Sequence, residues 1–250
     1  MKTEEPFVSL IIPVYNEQKR LSHGLSGILS YLMKQPYSWE IILVDDGSRV
    51  PVKVFLEDIG KTKEFPYDVA SLPISLYRLP RNTGKGAAIA LGVKKAVGTY
   101  IVFCDIDLSV PITNLSQVIA RLKRYPVVIA SRRLAQSRIV VHQTVIREFS
   151  GRIYTALSNI LCKTAVADVT CGFKGFRGDI AKLLFAKRRI NRWVFDTEIV
   201  FLARRHKYPV SELPVAWADK TGSKVQPFDA FWSLGDLLRV RWYAATGKYE

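Results

Sequence analysis

The first half of the chain repeats one pattern: a short apolar run that ends in polar residues, followed by a segment whose apolar residues recur at helical spacing. The apolar runs at residues 8–14, 40–44 and 100–104 show it most clearly. Continuous apolar runs of this length are typical of strands buried on both faces. Because such strands alternate with helices, the pattern predicts an α/β fold with a mostly parallel central sheet flanked by helices.

The remaining elements follow from the same periodicities. Further strands are predicted at residues 74–79, 127–130 and 210–217. Helices are predicted at residues 21–32, 54–59, 83–96, 115–122, 149–161, 180–184, 196–204 and 228–243. In the helix at 149–161, one apolar stripe consists of Phe149, Ile153, Leu157, Ile160 and Leu161.

The length of 250 residues suits one large α/β domain. With no internal repeat and no clear linker, we expect a single domain over residues 1–226 and a C-terminal amphipathic helix over residues 227–250. That helix mixes Phe, Trp and Leu with arginines, as helices at a membrane surface do. A helix that packs on the core with its arginines in water would show the same pattern. No apolar run reaches the roughly 20 residues that span a bilayer.

The charge balance points to an anionic partner. The chain has 37 Lys+Arg against 22 Asp+Glu, a net charge of +15. Such a charge suits nucleic acid, phosphorylated small molecules or an acidic membrane surface. Three cysteines, Cys104, Cys162 and Cys171, form no zinc or disulfide pattern, and residues 1–6 lack the apolar core of a secretory signal. Together these features predict a reducing, cytosolic compartment.

Acidic residues are scarce in this chain, so their clusters are informative. The pairs Asp45-Asp46 and Asp105/Asp107 each follow a predicted strand, at the sheet edge where α/β proteins bind ligands. Two carboxylates at positions i and i+2 of an extended backbone point the same way. Because Mg²⁺ prefers one or two carboxylates plus substrate phosphates, Asp105 and Asp107 are candidates to hold a divalent ion against a diphosphate. The alternative is a solvated strand end.

Basic residues supply the candidate phosphate contacts. Residues 82–86 (NTGKG) resemble a phosphate loop at a helix N-terminus, but they do not match the Walker pattern. Lys85 is therefore a candidate contact for a phosphorylated ligand, and a glycine-rich helix start that allows close packing is the alternative. Further basic residues suit phosphate oxygens, or else form a solvated cationic face. These are Arg132, Arg133, Arg138, Arg147, Lys174 and Arg177.

Taken together, the motifs resemble family 2 glycosyltransferases with a GT-A (Rossmann-like) fold. The stretches that carry the resemblance are 8–17 (VSLIIPVYNE), 41–48 (IILVDDGS), 81–86 (RNTGKG), 105–107 (DID), 168–174 (DVTCGFK), 192–198 (RWVFDTE) and 222–224 (GSK). The set is similar to the dolichyl-phosphate β-glucosyltransferase branch, with polyprenyl-phosphate mannose synthases as near relatives. Two departures are Ile106, where a small residue is usual, and the lack of a flanking membrane helix.

The resemblance implies a metal-dependent, inverting hexosyltransferase that moves glucose from UDP-glucose to a polyprenyl or dolichyl phosphate. It also implies a peripheral place on the cytosolic face of a membrane. By resemblance, the nucleotide pocket is lined by Pro13, Tyr15 and Glu17, base and ribose are contacted by Asp45 and Asp46, and the nucleotide sugar is contacted by Lys85 and Asp105. Mg²⁺ or Mn²⁺ would be held by Asp105 and Asp107, and Lys224 would close over the diphosphate. The acceptor phosphate would be met by Arg132 and Arg147, with Asp196 on the acceptor side.

Several alternatives stay open from the sequence. GDP-mannose or another UDP-sugar could be the donor, and a saccharide hydroxyl could be the acceptor. A lipid phosphate, with a second pKa of about 6, is already ionised and needs little help from a base. A hydroxyl acceptor needs a general base, and Asp196 is the candidate. A nucleic-acid-binding protein is the remote alternative; no recognised module is visible and the paired carboxylates would repel a phosphate backbone, so we expect no nucleic-acid partner.

Overall fold

The structure is a computed structural model, and it describes residues 5–59, 65–220 and 227–250, with the backbone alone at 59 and 227–232. Its strands are β1 (Val8–Val14), β2 (Trp39–Asp45), β3 (Ile74–Arg78), β4 (Tyr100–Phe103), β5 (Val127–Ser131), β6 (Arg138–Val141), β7 (Lys174–Arg177), β8 (Val210–Pro214) and β9 (Ala216–Ala218). Its α-helices are α1 (Gln18–Leu32), α2 (Val52–Ile59), α3 (Lys85–Lys95), α4 (Leu115–Leu122), α5 (Val145–Cys162), α6 (Gly178–Lys187), α7 (Phe195–Arg205) and α8 (Pro227–Ala245).

Seven strands form the central sheet, in the order β3-β2-β1-β4-β7-β5-β8. Strand β1 pairs in parallel with both β2 and β4, so the carboxyl ends of these strands meet at one edge. Strand β7 is antiparallel to its neighbours β4 and β5. The mostly parallel sheet predicted from the sequence is therefore confirmed, with one antiparallel strand inserted. Strands β6 and β9 form a separate two-stranded sheet.

Strand β7 was not predicted, because its sequence KGFR has no strand periodicity. It enters the sheet through long-range pairing, and Gly175 allows α4 to approach closely. A Cβ at Gly175 would lie 2.4 Å from Cγ1 of Val118 on α4. The strand predicted at 210–217 is likewise divided, since Val215 separates β8 from β9. Local pattern therefore located the parallel strands but not the strand that joins the two ends of the sheet.

Helices cover both faces of the sheet and bury two apolar clusters. One cluster joins β1 and β2 to α1 and α4, and the other joins the opposite face to α3, α6 and α7. Leu237 and Val240 of α8 belong to the second cluster, so this helix is packed on the protein along one side. Within the described ranges, no helix is both long enough and apolar enough to cross a bilayer.

Candidate active site

A cavity of about 1270 Å³ opens at the carboxyl ends of the parallel strands and continues along α5. Most residues predicted from the sequence to form the site line it. These are Pro13, Tyr15, Glu17, Asp46, Lys85, Asp105, Asp107, Arg132, Arg147 and Asp196. Asp45 is not among the lining residues. Lys224 lies outside the described residues. The fold thus gathers residues from distant parts of the sequence into one cavity.

The two aspartates at the end of β2 organise neighbouring loops. Asp46 accepts hydrogen bonds from the N–H of Thr83, at 2.8 Å, and of Gly84, at 2.9 Å, and so holds the loop before α3. Burial raises the pKa of Asp46, and these two N–H donors partly offset the rise. Asp45 is buried, with its carboxylate 2.8 Å from both the Ser48 N–H and Nη1 of Arg78. Its carboxylate thus stabilises the turn at 45–48, while contact with base and ribose stays a prediction.

The carboxylates that follow β4 meet different cations. Lys85, at the start of α3, places Nζ 2.6 Å from Oδ1 of Asp105. Burial alone would lower the pKa of Lys85, but the carboxylates of Asp105 and Asp196 outweigh burial and raise it. Asp107 accepts a hydrogen bond from the N–H of Ser109 at 2.9 Å. The structure therefore places Lys85 at the wall of the cavity, beside Asp105, while its contact with a phosphorylated ligand stays a prediction.

Two glycines make room for this pair of carboxylates. A Cβ at Gly172 would lie 2.0 Å from Oδ2 of Asp105. A Cβ at Gly24 of α1 would lie 2.0 Å from the backbone oxygen of Ile106. The side chain of Ile106 is buried in the core beside α1, which explains how a large residue is accommodated between the two aspartates. Close backbone packing thus sets the position of the Asp105–Asp107 segment.

The two carboxylates suit a divalent cation on a diphosphate. Both Asp105 and Asp107 line the cavity, and Mg²⁺ commonly takes one or two carboxylates together with phosphate oxygens. In the part of the chain that the structure describes, no group of three or more His, Cys, Asp or Glu side chains is arranged to hold a metal. The fit of a divalent ion to this site therefore depends on the two carboxylates of Asp105 and Asp107.

Asp196, at the first turn of α7, is paired with a fully buried lysine. Lys174 of β7 donates hydrogen bonds to a carboxylate oxygen of Asp196 and, at 2.7 Å, to the backbone oxygen of Cys171. Burial raises the pKa of Asp196, although Lys174 and Lys85 oppose the shift. Asp196 is therefore an ion-paired carboxylate at the cavity wall, and any change to it also affects a buried cation.

Arg132, just after β5, is held rigidly at the wall of the cavity. Its Nε lies 2.6 Å from Oδ2 of Asp168, and Nη2 lies 2.9 Å from Oδ1. Burial would raise the pKa of Asp168, yet the Arg132 guanidinium holds that pKa well below its usual range. The guanidinium carbon also lies 5.4 Å from the ring centroid of Trp217. Asp168 stood in a sequence motif, but only the structure reveals this pairing.

The inner side of α5 forms the far end of the cavity. Arg133 donates a hydrogen bond from Nη1 to Oγ1 of Thr155 on α5, at 2.6 Å. Burial lowers the pKa of Arg133, and the guanidiniums of Arg132 and Arg152 add to this effect, while Asp168 opposes it. Arg147 also lines this end. One cavity therefore has carboxylates near β1 and β4, and arginines near α5.

Sequence reasoning missed several residues that line the cavity. Arg20 lies 3.3 Å from Glu17 and 3.7 Å from Asp107, so it links two predicted site residues. Its spacing of three residues from Glu17 on one helix was the available signal. Arg192 and Trp217 also line the cavity. Arg192 lay within a recognised motif, whereas nothing in the sequence near Trp217 indicated a site.

Comparison with known proteins agrees with this fold and identifies the family. The model of the family described as "Glycosyl transferase family 2" matches residues 9–185. The chain therefore belongs to glycosyltransferase family 2 and is a glycosyltransferase. A dolichyl-phosphate beta-glucosyltransferase of Trichomonas vaginalis is 35% identical over an alignment of 247 positions that covers 94% of this chain and 72% of that protein. A dolichyl-phosphate beta-glucosyltransferase of Homo sapiens is 30% identical over an alignment of 258 positions that covers 97% of this chain and 77% of that protein.

Solved structures of lower sequence identity share the fold. Glucosyl-3-phosphoglycerate synthase from Mycobacterium tuberculosis, in complex with Mn²⁺, uridine diphosphate and glucosyl-3-phosphoglycerate, has a TM-score of 0.61 at 14% identity and matches 98% of this chain and 80% of its own. A mannosyltransferase from Pyrobaculum calidifontis, in complex with GDP-Man and Mn²⁺, has a TM-score of 0.59 at 17% identity. The match covers 98% of this chain and 65% of the mannosyltransferase chain. These likenesses confirm the GT-A-type fold predicted from the sequence.

Proposed function

We propose that this glycosyltransferase moves glucose from UDP-glucose to a polyprenyl phosphate of the dolichyl type, with inversion at the sugar carbon and with Mg²⁺ or Mn²⁺. The observation that carries the proposal is the division of one cavity into a carboxylate end and an arginine end. A metal-bound nucleoside diphosphate suits the first end, and an anionic acceptor suits the second. The names of the relatives in Trichomonas vaginalis and Homo sapiens support the choice of sugar and acceptor.

The nucleotide end is built around the loop before α3. Asp46 holds the backbone of Thr83 and Gly84, and this fixes the N-terminus of α3 where its N–H groups favour an anion. Lys85, in the first turn, adds a positive charge. Pro13, near the end of β1, and Tyr15 and Glu17, just after it, would enclose the nucleoside, with Asp45 and Asp46 proposed at base and ribose. Lys224 is proposed to close over the diphosphate.

Asp105 and Asp107 would hold the divalent ion. When bound, such an ion stabilises the negative charge that develops on the leaving diphosphate. Lys85 lies 2.6 Å from Asp105 in the structure, so its ammonium is already placed beside the carboxylates that would meet the diphosphate. Arg20 lies 3.3 Å from Glu17 and 3.7 Å from Asp107, and its positive charge would offset the repulsion between these two carboxylates. The chain's own residues thus prepare a site for a highly charged leaving group.

The acceptor end would bring a second anion to the sugar. A phosphate oxygen of the acceptor attacks C1 of the glucose, the bond from C1 to the diphosphate breaks, and its electron pair leaves with UDP. A phosphate monoester with a second pKa of about 6 is largely ionised at neutral pH, so this attack needs no proton acceptor. Arg147, together with Arg132 on the wall, would offset the repulsion between the two anions.

Asp196 decides between two kinds of acceptor. With a phosphate acceptor, its carboxylate keeps Lys174 and Lys85 in place and takes up no proton. With a hydroxyl acceptor, Asp196 would have to act as the general base, and its raised pKa favours a hydroxyl acceptor, which is the second candidate. The ion pair with Lys174 favours a phosphate acceptor, because a carboxylate that accepts a hydrogen bond from a charged donor is a weaker base.

A donor and acceptor screen tests the proposal. Purified protein is incubated with UDP-glucose, GDP-mannose or other UDP-sugars, a short-chain polyprenyl phosphate, and Mg²⁺ or Mn²⁺, and lipid-linked sugar is measured. We expect the largest product yield with UDP-glucose and a divalent ion. Product from GDP-mannose alone would overturn the donor, and transfer to a saccharide without any lipid-linked product would overturn the acceptor.

The substitution Asp196→Asn separates the two acceptors. With a lipid phosphate we expect a loss below the roughly 10²–10⁴-fold that removal of a general base produces. Because Asp196→Asn also strands the buried Lys174, the double variant Asp196→Asn/Lys174→Gln is the matched control. We expect the double variant to recover stability that the single variant loses. A complete loss of lipid-phosphate transfer in both variants, with both folded, would contradict the role given to Asp196.

For the cellular location, we propose a peripheral position on the cytosolic face of a membrane. A polyprenyl phosphate is anchored in a bilayer by its chain, so the arginine end of the cavity must open towards one. The net charge of +15 suits anionic headgroups. We also retain the proposal of a domain over residues 1–226 followed by an amphipathic helix over residues 227–250.

A further inference from the structure

Helix α5 has a stripe of apolar side chains on its outer side, while its inner side carries both polar and apolar residues. Val145, Phe149 and Ile160 are 83%, 63% and 72% exposed, and they lie along one stripe of the helix. Its buried side chains are instead Thr155, Ser158 and Cys162. A surface helix of a globular protein ordinarily shows the opposite arrangement. On the inner side, Leu157 and Leu161 pack on an apolar core cluster and Thr155 accepts a hydrogen bond from Arg133. The outward apolar stripe is therefore not needed for the contact of α5 with the core.

Helix α8 packs beside α5 and continues the exposed apolar surface. Leu237 and Val240 are buried, and the thiol of Cys162 at the end of α5 lies 3.9 Å from the backbone oxygen of Leu237. The outward positions of α8 are apolar as well. We call the following set the α5/α8 face: Val145, Ile146, Phe149, Ile153 and Ile160 of α5, with Leu234, Leu238 and Trp242 of α8.

Most of the exposed large apolar side chains in the described residues belong to this face or to the adjoining strand β6. Scattered apolar residues are normal on a protein surface, but a contiguous patch marks a site of interaction. The face carries exposed basic residues too, namely Arg152, Arg239 and Arg241. Apolar side chains with an exposed Trp and neighbouring arginines are the composition of an element that enters the headgroup region of a bilayer.

The face is also continuous with the cavity. Ile146 and Ile153 of α5 and Leu234 of α8 are exposed and at the same time line the cavity. An apolar chain lying on the face can therefore reach the cavity along these three side chains. A protein partner would not require this continuity, whereas a phosphate carried by a lipid chain does.

We propose that the α5/α8 face is the surface by which the protein docks on an anionic lipid bilayer, with the outer stripe of α5 inserted among the headgroups. The inference rests on the proposed function and adds to it, since it makes α5, and not α8 alone, the contact with the membrane. Helix α5 then serves both partners: its inner side meets the acceptor's phosphate, and its outer side meets the bilayer in which the acceptor's chain lies.

Vesicle flotation of the full chain tests this. Vesicles of neutral phosphatidylcholine are compared with vesicles that also contain an anionic phospholipid, and the partition coefficient is measured. The variant Phe149→Ser/Ile160→Ser changes two residues of α5 that do not line the cavity, and Leu238→Ser/Trp242→Ser does the same on α8. The matched control is Met33→Ser/Val97→Ser, which removes exposed apolar side chains elsewhere.

We expect the wild type and the control to float with anionic vesicles, and the α5 variant to lose at least about tenfold in partition coefficient, as the loss of inserted apolar groups implies. No flotation of the wild type, or an α5 variant that binds like the control, would overturn the inference. The inference would also be overturned if the wild type formed dimers in solution and failed to bind vesicles, while the α5 variant was monomeric. The face would then bind a second copy of the chain.

The proposed function is measured separately, by transfer to a short-chain polyprenyl phosphate in detergent without vesicles. We expect the α5 variant to keep that activity, because Phe149 and Ile160 do not line the cavity. If the α5 variant keeps transfer activity in detergent and binds vesicles as the wild type does, the proposed docking surface is overturned and the proposed function is not. Vesicle binding that depends on α5, without any lipid-linked product in detergent, overturns the proposed acceptor and leaves the surface standing.

Discussion

Helices α1 and α5 have similar sequence patterns and opposite positions in the protein. Each carries apolar residues three and four positions apart, and each has a residue from its N-terminal region in the cavity. In α1 the stripe of Leu21, Leu25 and Ile28 is buried against the sheet. In α5 the stripe that contains Phe149 and Ile160 faces outward. The same periodicity therefore served as a core contact in one helix and as an exposed surface in the other.

An apolar stripe in the sequence therefore identifies a helix, but it does not identify the surface against which that stripe packs. Helix α1 lies over strands whose facing residues are apolar, so burial of its stripe removes apolar area from water. Helix α5 lies over the cavity, where Arg133 requires the hydroxyl of Thr155. Part of the inner side of α5 is thus occupied by a contact with a half-buried cation, and the stripe of Phe149 and Ile160 faces away from the core, where a bilayer is the environment that would bury it.

The largest expected effect comes from placing a charge on each stripe. Leu25→Asp puts a carboxylate in the core and removes a buried leucine, which should cost about 4 kcal/mol of unfolding free energy or more. Phe149→Asp places the same charge on the exposed stripe of α5 and should change that free energy by less than about 0.5 kcal/mol. Urea unfolding of both variants measures this, and a destabilisation by Phe149→Asp as large as that by Leu25→Asp would break the comparison.

A second pair of substitutions compares the packing of the two helices. Gly24→Ala on α1 would place a Cβ 2.0 Å from the backbone oxygen of Ile106, and Gly151→Ala on α5 would place one 2.8 Å from Nη2 of Arg133. Backbone cannot yield easily, so Gly24→Ala should lose about 1–3 kcal/mol of stability and shift the aspartates on either side of Ile106.

The arginine head, by contrast, can move. Gly151→Ala gains up to about 1 kcal/mol from helix propensity and should stay near wild-type stability, with a higher KM for the acceptor. Thermal unfolding and kinetics with varied acceptor and varied donor separate these effects. An equal loss of stability in both glycine variants would show that α5 is packed as rigidly as α1.

The smallest expected effect concerns the inner side of α5. Thr155→Val keeps the shape of the side chain but removes the hydroxyl that accepts a hydrogen bond from Arg133, and this should cost about 1–2 kcal/mol of stability. Thr155→Ser retains the hydroxyl and is the control. We expect a raised acceptor KM only in Thr155→Val. Matching kinetics in the two variants would mean that Arg133 does not meet the acceptor.

Much of the fold was accessible from the sequence because its signals are local. The apolar runs located the parallel strands β1, β2 and β4 to within a residue or two, and the apolar spacing located α1 and α4. The position of Asp105 and Asp107 at the end of β4 followed from the rule that ligands bind at the carboxyl ends of parallel strands. These inferences need only backbone geometry and the period of side-chain directions.

The rest depended on contacts between distant residues. Strand β7 pairs with β4 and β5 across long stretches of chain, and its own sequence does not predict a strand. Whether a carboxylate faces substrate or another side chain was equally hidden. Asp45 and Asp46 are adjacent in sequence, yet Asp46 lines the cavity and Asp45 pairs with Arg78. Each of these arrangements depends on which partner folding brings near.

By itself, the sequence determined the order of strands and helices, the excess of positive charge, and the aspartates, lysine and arginines from which a site for two anions is made. Only the tertiary structure decided that Lys85 pairs with Asp105, that Arg132 is held by Asp168, and that α5 turns its apolar side to the outside. The two kinds of feature differ in the distance along the chain over which the residues that determine them are spread. Periodicity and strand ends follow from the local backbone, whereas pairing and burial depend on the neighbours that distant segments supply.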